Sequence, residues 1–183
     1  MRRGASAYER ELKDLLQGAP ERVRTYARQL EPTERGEFER IAERPFLVIR
    51  AAGSLGFDLV ALRREFAFPL EVKASHEPTV RFSANSGRAT EQLAAHRAAV
   101  GRVGLMVLYA YRRIGDRDGE CWRLFSATPG GSGGMMGALA RRLPPIETTR
   151  DGNAILRWES GMPLSQFLRT FRFLTEPVGE GSS

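Results

Sequence analysis

The stretch Gly53-Ser54-Leu55-Gly56-Phe57-Asp58-Leu59-Val60-Ala61-Leu62-Arg63-Arg64-Glu65-Phe66-Ala67-Phe68-Pro69-Leu70-Glu71-Val72-Lys73 decides how the chain is read. Its two apolar runs, rich in β-branched and aromatic residues, flank a short polar break and so form an antiparallel hairpin. A turn centred on Arg64-Glu65 pairs residue 63 with 66 and sets Asp58 opposite Glu71. Side chains directly opposite on one face stand about 4.5–5.5 Å apart, and two carboxylates there repel unless a cation lies between them. Lys73 follows Glu71 by two residues, so strand alternation puts its ammonium on the same face. An acidic pair beside one basic group, at the mouth of a Gly/Ser loop, suits a divalent metal and an activated water acting on a phosphate.

Composition fits one α/β domain with a real core. At 183 residues, 42% hydrophobic and 27% charged, the chain has the balance of a globular protein. No apolar run follows Met1-Arg2-Arg3, so no signal peptide is expected. The longest apolar run, near residues 103–111, is too short to span a bilayer and reads as a buried strand. One cysteine, Cys121, makes neither a disulfide nor a zinc cluster, which points to a cytoplasmic setting and no membrane. The net charge of +6 favours a polyanionic partner, nucleic acid first and an anionic membrane second. A coding bias toward Arg is the plain alternative. It is visible here, since Lys occurs only at Lys13 and Lys73. In such a chain, Lys73 marks a site that wants a compact ammonium rather than a planar guanidinium.

Residues 6–17 read as a helix with Tyr8, Leu12, Leu15 and Leu16 on one stripe. Two readings of Glu9 stay open. It closes a capping box with Ser6, or it points past the stripe to supply a further carboxylate, with Arg10 and Lys13 on the phosphate side. Residues 18–44 form a solvated helical insert with balanced charge. Residues 46–50 form a strand ending in Arg50, which either faces a phosphate or is simply solvated. The loop after it offers close backbone approach at Gly53 and Gly56 and a hydroxyl at Ser54, but lacks the P-loop signature. His76 is taken as a solvated loop residue. A helix capped by Asn85 or Ser86 runs to about residue 100. Arg88 and Gln92 share a face that can meet nucleic acid. His96 falls on the apolar stripe, as a packing or interface residue. Ala94, Ala95, Ala98 and Ala99 allow another helix, or a second subunit, to come close. A strand at 104–111 completes a right-handed crossover, and residues 121–125 form an edge strand.

The resulting fold class is α/β, a central mixed sheet flanked by helices. The expected divisions are a main domain at 1–128 containing the insert, a Gly-rich linker at 129–143, a small strand-helix extension at 144–176 and a disordered tail at 177–183.

An early helix with Tyr8-Glu9-Arg10, a strand ending in Arg50, an Ala-Gly-Ser loop, Asp58, and then Glu71-Val72-Lys73 resemble, in that order, the archaeal Holliday-junction resolvases of the PD-(D/E)XK nuclease fold. The resemblance covers roughly residues 5–125 and implies a restriction-endonuclease-like fold. Phe57 stands where the family has a Pro, the insert is longer, and the linker and extension are additional. The resemblance implies a homodimer that binds a four-way or otherwise branched DNA junction and cuts two opposed strands with Mg²⁺, Mn²⁺ being able to substitute. It assigns catalysis to Glu9, Ser54, Asp58, Glu71 and Lys73, and the metal to Glu9, Asp58, Glu71 and the Val72 carbonyl. DNA contacts fall to Arg2, Arg3, Arg10, Lys13, Arg50, Ser54, Arg88 and Gln92. Contacts of that kind hold the backbone without reading sequence. Three other readings compete: another repair or restriction-type nuclease of the same fold, a non-catalytic DNA-binding protein of that fold, and a domain whose Glu71 and Lys73 are only a surface ion pair.

Overall fold

The computed structural model describes residues 5–51, 56–64, 66–82, 88–115, 119–127, 134–150 and 152–175. Three helices come first: α1 (Ala5–Leu16), α2 (Pro20–Ala27) and α3 (Pro32–Glu39), the last running into a short 3-10 turn. Strands β1 (Leu47–Arg50), β2 (Leu59–Arg63), β3 (Phe66–Ser75) and β4 (Thr79–Phe82) follow. Next come helix α4 (Arg88–Gly101), strands β5 (Leu108–Arg113) and β6 (Trp122–Ser126), and helix α5 (Gly134–Arg142). The chain closes with β7 (Glu147–Thr148), β8 (Ala154–Arg157), β9 (Met162–Pro163) and helix α6 (Leu164–Thr175).

Six of these strands form a mixed sheet in the order β1-β2-β3-β5-β6-β9, with helices packed against it. The β2–β3 hairpin closes on the pair Arg63–Phe66, with Arg64 at a φ of 51° in the turn. Its register decides everything else, because a slip of one residue exchanges the two faces of a strand. With Val48, Ala61 and Phe68 abreast, and Leu59 beside Leu70, one face of β1–β3 is apolar between Arg50 and Arg63. That face buries against α1 and α6. The opposite face carries Asp58, Glu71 and Lys73. Pro69, which has no N–H to give, lies one residue before the parallel ladder to β5 begins at Leu70.

The parallel β3–β5 pair requires a crossover, and α4 supplies it. Leu93, His96 and Val100 of α4 are buried, and with Val107, Tyr109 and Tyr111 they line a second apolar cluster on the site's face of the sheet.

Several expectations need correction. The segment 18–44 is charged on its outside but not a solvated appendage. Val23, Tyr26, Leu30, Phe38 and Ile41 are buried in the main core, with Tyr26 stacked on Phe38 at 4.8 Å. Its charge count hid this, because an amphipathic helix can balance Arg and Glu and still bury one stripe. Strand β6 is not an edge, since β9 pairs beyond it through Leu124–Met162. Ser6 lies inside α1 and so is no N-cap. Residues 134–142 of the expected linker are helical, with Leu139 and Ala140 buried; residues 129–133 and 177–183, and the expected caps Asn85 and Ser86, fall outside the described residues.

The C-terminal segment is built into the same structure. Phe167 and Phe171 of α6 join Phe46, Phe66 and Phe68 in one aromatic cluster, with Phe66 and Phe171 centroids 4.1 Å apart. The Arg63 guanidinium lies over the Phe171 ring at 5.1 Å. Strand β8 pairs with β4 and β7 in a small second sheet.

Candidate active site

The site forms where β2 begins, because the hairpin ladder ends there and side chains take over from backbone. The last regular pair is Leu59–Leu70. One step further, the Asp58 N–H donates to the Leu70 carbonyl at 3.0 Å. The Asp58 carboxylate then accepts the Val72 N–H through Oδ2 at 2.7 Å. One backbone donor of β3 is thus met by a side chain, and that fixes Asp58 against Glu71. Burial raises the Asp58 pKa, the Val72 N–H opposes the rise, and the nearby charge of Glu9 adds to it.

Glu71 is 3% exposed, unusual for a carboxylate. Its Oε1 accepts the Lys73 ammonium at 2.6 Å. Its Oε2 is buried and has no hydrogen-bond partner among the described residues. Burial pushes the Glu71 pKa up to about 7, although Lys73 pulls it down. Lys73 is itself held from the other side, donating to Gln92 Oε1 at 3.2 Å. Gln92 in turn donates from Nε2 to the Gly56 carbonyl at 3.2 Å.

The structure therefore brings Asp58, Glu71, Val72, Lys73 and Gln92 together. Gln92, expected on a DNA-facing surface, is engaged inside this cluster. Glu9 and Arg50 border it as a pair, with Arg50 Nη2 donating to Glu9 Oε2 at 2.7 Å. Each is thus partnered by the other, rather than Glu9 capping its own helix. Arg10 is exposed and donates to the Ser6 carbonyl of its own helix, and Lys13 is half-buried on α1. Arg2, Arg3 and Ser54 lie outside the described residues, as does the side chain of Arg88, the first residue of α4.

Sequence reasoning placed His96 on an apolar stripe and went no further. Its ring is buried, with Nδ1 2.9 Å from the Tyr109 hydroxyl and Nε2 2.9 Å from the Gly56 carbonyl. The usable signal was the spacing of Gln92 and His96, four apart and so on one face of a helix. Their shared target, the Gly56 carbonyl, has no mark in the sequence.

The donor set fits a hard divalent ion. An orphaned carboxylate oxygen at Glu71, a second carboxylate at Asp58 and the Val72 carbonyl are oxygen ligands of the right kind. Among the described residues, no three carboxylate, imidazole or thiolate side chains gather into a closed cage. Two carboxylates and a carbonyl suit Mg²⁺, which keeps several waters and is rarely caged by protein alone.

No family model matches the chain, and no curated protein matches it. Among solved structures it is similar to Hjc, a Holliday junction resolvase from the archaeal hyperthermophile Archaeoglobus fulgidus. The two are 20% identical over 69% of this chain and 84% of the other, with a TM-score of 0.44. So loose a superposition carries no weight for function. The residues have to carry it.

Proposed function

We propose that this chain is a metal-dependent endodeoxyribonuclease that resolves four-way DNA junctions as a homodimer. The observation that carries the reading is the buried Oε2 of Glu71, which has no hydrogen-bond partner among the described residues, beside Asp58 and Lys73. A buried polar atom left unsatisfied costs about 1–3 kcal/mol, more when charged. Such a cost persists where function requires it. The order of Glu9, Asp58, Glu71 and Lys73 along the chain, which resembles the resolvases, agrees with this reading.

Asp58, Glu71 and the Val72 carbonyl would hold Mg²⁺, with Glu9 the further carboxylate on the Arg50 side; Mn²⁺ would serve in the same place. When bound, the ion supplies Lewis acidity toward a phosphoryl oxygen and lowers the pKa of a water. The chain's own groups do the rest. Lys73 brings a positive charge to the phosphoryl oxygens or to the attacking water. Gln92 keeps its ammonium in place. Arg50, half exposed at the end of β1, would turn from Glu9 toward a phosphate. With a net charge of +6, DNA binding should weaken steeply with salt.

The homodimer draws support from the sheet face that carries Asp58. On edge strand β1, Leu47 and Ile49 are 60% and 49% exposed, and their cross-strand neighbours Leu62 and Val60 are only half-buried. An apolar surface of that kind usually meets a partner. No helix among the described residues is long and apolar enough to cross a membrane.

Cleavage of a synthetic four-way junction and of a linear duplex of the same sequence, at equal Mg²⁺, tests the proposal. Preferential nicking of the junction on two opposed strands is expected. Equal cutting of both would reassign the chain to another nuclease class, and cutting of neither would leave a DNA-binding role.

A further inference from the structure

The segment that delivers Asp58 is held at the Gly56 carbonyl. Two side chains reach it from the same turn of α4: Gln92 Nε2 at 3.2 Å and His96 Nε2 at 2.9 Å. A carbonyl only accepts, so His96 carries its proton on Nε2, and Nδ1 is left to accept the Tyr109 hydroxyl at 2.9 Å. Tyr109 pairs with Glu71 across the β3–β5 ladder. The Gly56 carbonyl thus selects the tautomer of His96, and the Tyr109 hydroxyl completes it from the strand next to the candidate carboxylate.

The ring geometry supports the same contact. Phe57, between Gly56 and Asp58, stacks on His96 with centroids 4.3 Å apart and planes inclined by 29°. Gly56 has a φ of +75°, a conformation that L side chains rarely adopt, and a Cβ there would come within 3.3 Å of His96 Nε2. Glycine at 56 and an aromatic ring at 57 are both accounted for by His96. Buried against protein on every side, His96 has no route to a substrate.

We propose that His96, oriented by Tyr109, is a positioning residue that fixes the Gly56 carbonyl and through it the aim of Asp58. The contact stands by itself; its bearing on catalysis rests on the nuclease reading above. Because Asp58 Oδ2 accepts the Val72 N–H, that amide reports on the aim of Asp58 without metal or DNA.

The test is hydrogen exchange of the Val72 amide in the full-length, metal-free chain. His96→Phe keeps a ring on Phe57 and removes both nitrogens. Tyr109→Phe keeps the packing and removes only the support of Nδ1. His96→Gln retains one donor for Gly56. Exchange at Val72 should rise in His96→Phe, less in Tyr109→Phe, and recover in part in His96→Gln. Magnesium affinity, measured by calorimetry on the same proteins, should weaken in the same order. Unchanged Val72 exchange in both His96→Phe and Tyr109→Phe overturns the proposal, and so does an equal rise along the whole of β3. If His96→Phe does not fold, Tyr109→Phe alone decides. Faster exchange at Val72 in a chain whose wild type binds no Mg²⁺ upholds the clamp and removes the nuclease reading instead.

Discussion

Glu71 and Lys73, two residues apart on β3, form a 2.6 Å ion pair through Oε1, while Oε2 has no hydrogen-bond partner among the described residues. The arrangement is costly for a protein without a ligand. A buried pair with imperfect partners does not recover its desolvation, so the site should reveal itself in stability before any DNA is added.

Stability of the metal-free protein should therefore fall as pH rises from 4.5 to about 7, the range across which Glu71 ionises unfolded but stays protonated folded. Below that range both states hold the proton, and above it both release it. Glu71→Gln should remove this slope and stabilise the metal-free chain at pH 8 by about 1–3 kcal/mol. Added Mg²⁺ should stabilise the wild type above pH 7 and leave Glu71→Gln nearly unmoved. Thermal melts across pH, with and without Mg²⁺, check this.

Lys73→Met should lower the cleavage rate by about 10²–10³, the loss typical when one group stabilising developing charge is removed. Junction affinity should change far less, because Lys73 is half-buried and committed to Glu71 and Gln92. Single-turnover cleavage and a binding titration separate the two effects.

Arg50→Ala should weaken binding to junctions of any sequence and reduce the slope of log K against log salt by about 0.9, as for one lost phosphate contact. Binding isotherms at several salt concentrations give that slope. An unchanged slope would mean that Arg50 serves only Glu9.

Leu47→Glu should convert the dimer to a monomer in solution with little cost to the fold, because the side chain is 60% exposed. Sedimentation of the variant and the wild type decides. A wild type that sediments as a monomer would remove the dimer proposal altogether.

Phe171→Ala should destabilise the chain by about 3–5 kcal/mol, as for a large buried aromatic. Its ring packs against Phe46, Phe66 and Phe68. Denaturant unfolding measures the loss. A small loss would show α6 to be peripheral.

The hairpin was legible in the sequence because its two signals agree. Two apolar runs mark the strands and the polar break between them places the turn; the register that follows buries Ala61 and Phe68 together and carries Asp58 toward Glu71. The role of residues 18–44 was not legible from charge. What decides it is Phe38 meeting Tyr26, a contact set by the loop between two helices. Strand β9 is two residues long and contains a proline, so nothing local marks it as the partner of β6. At the site, alternation along β3 put Glu71 and Lys73 on one face, but not the distance between them. Nor does the sequence hold any trace of the Gly56 carbonyl as the shared acceptor of Gln92 and His96, since a backbone atom leaves no signature in residue type.

The most direct test compares strand nicking of a four-way junction by wild type and Asp58→Asn, each with and without Mg²⁺. Wild type should cut two opposed strands only when Mg²⁺ is present, and Asp58→Asn should bind the junction and leave it whole. Equal cutting by the two proteins, or cutting that proceeds with all divalent ions chelated, would contradict the account.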